Sequence, residues 1–261
     1  MTEPTQSSRP AQEQFGRQAH FYAQSNAFRA GESLDALTQY LAQDRYGLAV
    51  DVGTGAGFAA FAASPFCDQV LATDITPQML TQARRLADER DITNVGLMAV
   101  EAESLPFGAG SVGLVTSRQA AHHFYDLPRA IAEVWRVLRP GGVFVFTDPV
   151  APEGAYEERW MNDVEVRRDL THIRDLRELE WRELLAKTGF DINHSVVTRV
   201  YLEFNDWVAR ANTPQENIEP LRRDLLSARP SVVQAFGIQA VDEDIHFHWD
   251  VVYDAPIPQQ C

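Results

Sequence analysis

Residues 48–62 read LAVDVGTGAGFAAFA. Leu48, Ala49, Val50 and Val52 make a short apolar run with one acid, Asp51, set into it. Gly53, Gly55 and Gly57 follow, and behind them comes a segment with no polar face. A glycine-rich passage from strand to helix lets backbone approach a ligand closely and aims free helix N–H groups at it. The dinucleotide-binding spacing is G-x-G-x-x-G, with phosphates over the helix N-terminus. Here the third glycine comes one position early. The carboxylate of Asp51, two residues before the first glycine, would repel a pyrophosphate and attract an ammonium group. No lysine follows the loop, which excludes a P-loop.

The same rhythm continues outward. VLATD (70–74), VGLMAV (95–100), VGLVTS (112–117) and GVFVFTD (142–148) read as strands, with helical patterns over Thr76–Arg90 and Asp126–Leu138. Thr76 is the predicted N-cap of the first helix, with Pro77 at its first position. Leu127, Ile131, Val134 and Leu138 form one stripe of the second, which stops at RPGG. Continuous apolar strands alternating with helices mean a parallel sheet covered on both faces.

Upstream, residues 15–43 have helical spacing, and residues 1–14 are predicted to be a disordered lead-in. Beyond residue 150 the pattern changes. Residues 156–188 are charged but carry a stripe including Ile173, Leu176, Leu179 and Leu184, which predicts helix. Residues 190–204 read as a strand and its exit, and 205–230 as helix broken at Pro214 and Pro220. IHFHWDVVY (245–253) alternates like an antiparallel strand at a sheet edge. The predicted fold is α/β: a Rossmann-like, doubly wound, mostly parallel sheet with an antiparallel edge strand and a helical cap. Residues 15–155 form its core with N-terminal helices; residues 156–261 complete the same domain, with 205–240 inserted before the last strand.

At 261 residues, 45% hydrophobic and 23% charged, the chain suits one capped α/β domain or two small domains. No stretch of 18 apolar residues is present, so no membrane-spanning helix is expected. The opening MTEPTQSSRPAQEQ lacks the basic-then-apolar pattern of a signal peptide. Cys67 and Cys261 make neither a disulfide framework nor a zinc site, and a cytoplasmic location fits them. A net charge of −14 argues against nucleic acid, whose phosphates call for basic patches, and suits a solubility role. The expected partner is a small molecule; a homodimer is compatible with the composition.

With these stretches in view, the chain resembles the class I S-adenosylmethionine-dependent methyltransferases, in the branch that includes ubiquinone/menaquinone-biosynthesis enzymes. VDVGTGAG is similar to the first motif of that family and LATDITPQML to the second, whose acid binds the ribose hydroxyls. VEAESLPFGAGSVGLV resembles the third, usually G-D-A-E-x-L-P-F, with Glu101 in place of the usual Asp. AAHHFYDLPRAIAEVWRVLRPGGVFVFTD resembles the closing segment. The resemblance spans residues 15–155. It implies an S-adenosylmethionine pocket built from Asp51, Gly53, Thr54, Gly55, Gly57, Asp74, Ile75, Met79, Glu101, Ala102 and Ser117. Tyr22, in QAHFYAQS, matches an N-terminal helix that closes over the cofactor in this family. Asp74 also lies 21 positions after Gly53, near the spacing of ribose-binding acids in nucleotide folds. A capping role for Asp74 is the alternative, with Thr76 the better-placed cap.

His122 and His123 follow the fourth strand of the core and Asp148 ends the fifth. A histidine held by a carboxylate is the usual general base. Some natural-product O-methyltransferases of the superfamily pair residues at these positions, which makes His122 with Asp148 the predicted catalytic pair and His123 the alternative base. His246 and His248 share a strand face, but no third ligand accompanies them, so no metal is expected. The implied activity is methyl transfer to a hydroxyl or activated carbon of a small secondary or quinone-like metabolite. A pericyclic or decarboxylative reaction in the same pocket, or a non-catalytic cofactor-binding subunit, are the alternatives. Acceptor specificity is expected in the N-terminal helix and in residues 150–240, where Trp160, Trp181, Tyr201, Phe204 and Trp207 lie.

Overall fold

The computed structural model describes residues 9–24 and 31–258. Two helices, α1 (Arg9–Gln24) and α2 (Glu32–Leu41), precede the sheet. The core then alternates as read from the sequence: β1 (Tyr46–Val52), α3 (Phe58–Ala63), β2 (Cys67–Asp74), α4 (Pro77–Glu89), β3 (Val95–Ala99), β4 (Val112–Arg118), α5 (Leu127–Val137) and β5 (Leu138–Pro149). The remainder is α6 (Ala155–Arg168), α7 (Glu178–Thr188), β6 (Phe190–Glu203), α8 (Phe204–Arg210), α9 (Gln215–Leu226), α10 (Pro230–Phe236), β7 (Gln239–Val241) and β8 (Asp244–Pro258).

The strand order is β3-β2-β1-β4-β5-β8-β6, with β7 paired to β8. The first five strands are parallel. The chain winds outward from β1 through β2 to β3, then returns to start β4 on the other side of β1. That reversal opens a crevice at the carboxyl ends of β1 and β4, where ligands bind in open sheets. One apolar layer, including Leu37, Phe58, Ala60 and Leu86, covers one side of the sheet. A second, with Ile131, Val134, Phe144 and Trp181, covers the other.

The last strand is antiparallel as expected, but it lies one place inside the edge. β8 pairs with β5 through Phe146↔Asp254 and Asp148↔Val252, and β6 closes the sheet beyond it. Both β6 and β8 outrun β5, and the apolar residues on their overhang carry the cap. Met161, Val164, Phe204, Trp207, Leu221, Phe236, Phe247 and Trp249 form a third core there. Trp207 and Phe204 are fully buried; each such side chain contributes about 1.5–3 kcal/mol through burial.

Several local expectations are corrected. Residues 9–14 are helical rather than lead-in, because Gln12 and Gln14 are anchored: Gln12 donates to the Ile75 carbonyl and Gln14 to Asp169. Pro220 lies inside α9, whereas Pro214 does precede it. The predicted helix over 156–188 is two helices with an extended break between Arg168 and Glu178. Ile173 and Leu179, placed on its apolar stripe, are exposed. At the break the Asp169 carboxylate accepts from both the amide and the hydroxyl of Thr171, a local turn that competes with helix and that long-range contacts hold open.

Candidate active site

The three glycines after β1 all have left-handed backbone, each for its own reason. Gly53 (φ +68°) lies against the loop after β4, where an added Cβ would stand 2.6 Å from that of Ala120. Gly57 (φ +95°) precedes α3, and a Cβ there would enter the Phe61 ring. Gly55 (φ +54°) faces nothing within 4 Å: its open side is the cavity.

Two buried acids hold this turn. Asp51 accepts from the hydroxyls of Thr54 (2.5 Å) and Thr116 (2.6 Å), and burial raises its pKa to about 6 against those bonds. Asp74 accepts from the Gly55 amide at 2.8 Å and, through its other oxygen, from the Thr76 amide at 2.8 Å. Burial raises its pKa as well, opposed by the same two amides. Thr76 is the N-cap by position, but its side chain makes no capping bond. Asp74 therefore serves both the loop and the start of α4.

One cavity joins most of the predicted pocket: Asp51, Gly53, Thr54, Gly55, Asp74, Ile75, Met79, Glu101, Ala102, His122 and His123 all line it. Gly57 and Ser117 stand outside the lining; Arg118 and Gln119 occupy the wall expected of Ser117. The Tyr22 side chain lies outside the described residues.

The far wall is built by a tight passage out of β4. Gln119 is left-handed (φ +52°), a costly conformation for a non-glycine residue, and its amide is fixed to the Thr147 carbonyl at 2.7 Å. The following short turn, Ala121–His123, brings both imidazoles to the cavity. His122 Nδ1 lies 3.0 Å from Asp148 Oδ1, and Asp148 sits behind it, buried and off the cavity wall. Burial by itself would lower the pKa of His122. Asp148, through charge and hydrogen bond, then Asp175 and Glu165 reverse this and hold it at about 9.

His123 is different. Its Nδ1 lies 3.1 Å from the Thr171 carbonyl, which calls for a proton on Nδ1 and leaves Nε2 bare. Burial, then the charge of His122, pushes its pKa down to about 4. The two rings lie 4.1 Å apart, and the ring of Phe15 from α1 stands on His123 at 4.8 Å.

The break between α6 and α7 supplies residues that sequence reasoning passed over. Asp169, His172 and Asp175 all line the cavity. The segment is tied to the site because the amide of Ile173 donates to the His122 carbonyl at 2.9 Å. His172 is held at about 3 by burial and then by the charge of His122. From the cap, Glu165 accepts from the indoles of Trp207 (3.2 Å) and Trp249 (2.6 Å) and pairs with Arg168 (3.0 Å). The only available signal was local: Asp-x-Thr within DLTHIRD favours a turn.

Among the described residues, one His/Asp set has donor atoms close enough for a metal: His122, Asp148 and Asp175, within 4.8 Å of one another. His122 Nδ1 is within hydrogen-bond distance of Asp148 there, and an Asp175 oxygen lies within 4.8 Å of both. His248 is buried against Gly237 rather than turned out as a ligand. Trp181 belongs to the core under α5 and α7, and Tyr201 is exposed, so neither serves the cavity.

Residues 50–146 match the family model described as a methyltransferase domain. The chain is 31% identical to the uncharacterized methyltransferase YcgJ of Bacillus subtilis, over 86% of this chain and 88% of that one. It is 32% identical to the YafE protein of Escherichia coli K12, over 72% of this chain and 90% of that one. The crystal structure of the Bacillus YcgJ protein superposes with a TM-score of 0.83, covering 88% of this chain and 99% of that one, at 28% identity. The sheet order, the glycine turn and these relatives agree: the chain belongs to the class I S-adenosylmethionine-dependent small-molecule methyltransferases.

Proposed function

We propose that the cavity binds S-adenosylmethionine and that the enzyme methylates a hydroxyl of a small molecule, with His122 as the general base. Residues at both ends of the cavity support this reading. The open side of Gly55 leaves room for the cofactor, and the presence of Asp74, Glu101 and Ala102 on the cavity wall supports their roles toward ribose and adenine. At the other end Asp51 and Arg118 present one negative and one positive group, the complement of an amino-acid moiety. When bound, S-adenosylmethionine supplies an electrophilic methyl whose sulfonium leaving group needs no activation.

The protein's part is alignment, exclusion of water and removal of one proton. As the acceptor oxygen forms its bond to carbon, its O–H bond breaks and the proton passes to Nε2 of His122, Nδ1 being engaged with Asp148. The imidazolium is then stabilised by Asp148. The observation that carries this reading is the 3.0 Å bond between His122 and Asp148 at the cavity wall. The test is a metabolite screen read by S-adenosylhomocysteine release, repeated with His122→Gln. Hydroxyl acceptors turned over at wild-type rates by the variant would sink the base assignment; absence of cofactor binding in calorimetry would sink the pocket.

A further inference from the structure

We propose that Asp175 is a second carboxylate partner of His122, a positioning residue that works with Asp148 to hold the imidazole as a strong base. This rests on the reading of His122 as the base. Three observations converge on Asp175. Its carboxylate is 1% exposed, and Oδ1 has no hydrogen-bond partner. A donor atom of Asp175 lies within 4.8 Å of both His122 and Asp148. Its backbone is clamped on both sides by one amide, Asn162 of α6: the Asp175 amide donates to Asn162 Oδ1 at 2.7 Å, and Asn162 Nδ2 donates to the Asp175 carbonyl at 3.1 Å.

A buried carboxylate oxygen without a donor is costly unless a positive charge or a proton stands beside it. The groups around His122 are Asp148 from β5, Glu165 from α6, its neighbour His123, and Asp169, His172 and Asp175 from the break. Glu165 is engaged by Arg168 and two indoles; Asp169 takes Thr171 and Gln14 on Oδ1, and although its Oδ2 has no hydrogen-bond partner, its charge acts on His123 rather than His122. His123 and His172 are neutral near pH 7, their pKa values lying at about 4 and 3. Asp175, whose other oxygen is 3.7 Å from His172 Nε2, is left to answer the charge of His122. Burial pushes the carboxyl of Asp175 well up, and His122 is first among the groups that oppose this.

The test needs neither acceptor nor turnover. Histidine-labelled protein is titrated by NMR, with the His122 ring signals assigned by their loss in His122→Gln. The midpoint of His122 is expected well above that of a free histidine, to fall by about one pH unit or more in Asp175→Asn, and to recover in part in Asp175→Glu. Asn162→Leu, which frees the Asp175 backbone and keeps its charge, should lower the midpoint partway. An unchanged midpoint in either folded variant overturns the proposal. So does selective broadening of the His122 signals by substoichiometric Mn²⁺ that Asp175→Asn abolishes, since the three side chains would then hold a cation. If the midpoint shifts as expected but His122→Gln turns over normally, the base reading fails and the Asp175–His122 pairing stands.

Discussion

The amide of Gly55 donates to Asp74 Oδ2 at 2.8 Å, joining the glycine turn after β1 to the end of β2. One carboxylate thus shapes the loop that must receive the cofactor and stands at the position expected to meet its ribose. Asp74→Ala should weaken S-adenosylmethionine binding by about 1–3 kcal/mol, the loss of a charged acceptor together with the loop it orders. Calorimetry on the folded variant decides this; unchanged affinity would remove Asp74 from the ribose site.

The glycines of the turn should separate fold from binding. Gly53→Ala drives a Cβ to 2.6 Å from Ala120 and should lower the melting temperature sharply. Gly55→Ala meets no atom within 4 Å. It should cost only about 1–2 kcal/mol of left-handed strain while obstructing the cofactor. Equal thermal losses in the two variants would contradict this division.

His122 can accept a proton only when unprotonated, and its pKa stands at about 9. Turnover on a hydroxyl acceptor should therefore rise about tenfold per pH unit through neutrality and level off near 9. His122→Gln should lower turnover by about 10²–10⁴-fold with cofactor affinity nearly intact. Asp148→Asn should produce a smaller loss and bring the plateau to lower pH. A flat profile from pH 6 to 9 would mean that no proton is removed by this residue.

Stability should fall in acid. His123 and His172 have pKa values of about 4 and 3 in the folded chain against 6.5 for the free side chain, through burial first and the charge of His122 second. Below pH 6.5 the unfolded chain binds protons that the folded one refuses, so their contribution is complete above 6.5 and lost as pH falls through about 4 for His123 and about 3 for His172. His122 has the opposite sign: its contribution is complete below 6.5 and lost as pH rises through about 9. Melting followed by circular dichroism should decline on both flanks, at about 2–4 °C per kcal/mol for a chain of this size. A melting temperature constant from pH 7 to 4.5 would show that the two histidines are not buried as neutral rings.

The parallel core was legible because its strands are buried on both faces. Val50, Val115 and Phe144 have no solvent side, so their segments read as apolar runs, and Gly53, Gly55 and Gly57 mark a turn that needs left-handed backbone. The acids at Asp51 and Asp74 and the pair His122 and Asp148 could be placed for the same reason: strand ends in a doubly wound sheet have known positions. Those placements follow from strand burial and chain order alone.

The break at residues 169–177 depends on contacts with distant parts of the chain. Leu170, Ile173, Leu176 and Leu179 mimic a helical stripe, and nothing local contradicts them strongly enough. The contacts that open the helix come from far along the chain: Gln14 on Asp169 and the His122 carbonyl on the amide of Ile173. Helical spacing reports on bonds four residues apart, whereas these partners are separated by 155 and 51 positions, as 169−14 and 173−122. Asp175 reaches His122 through those long-range bonds, and periodicity carries no record of them.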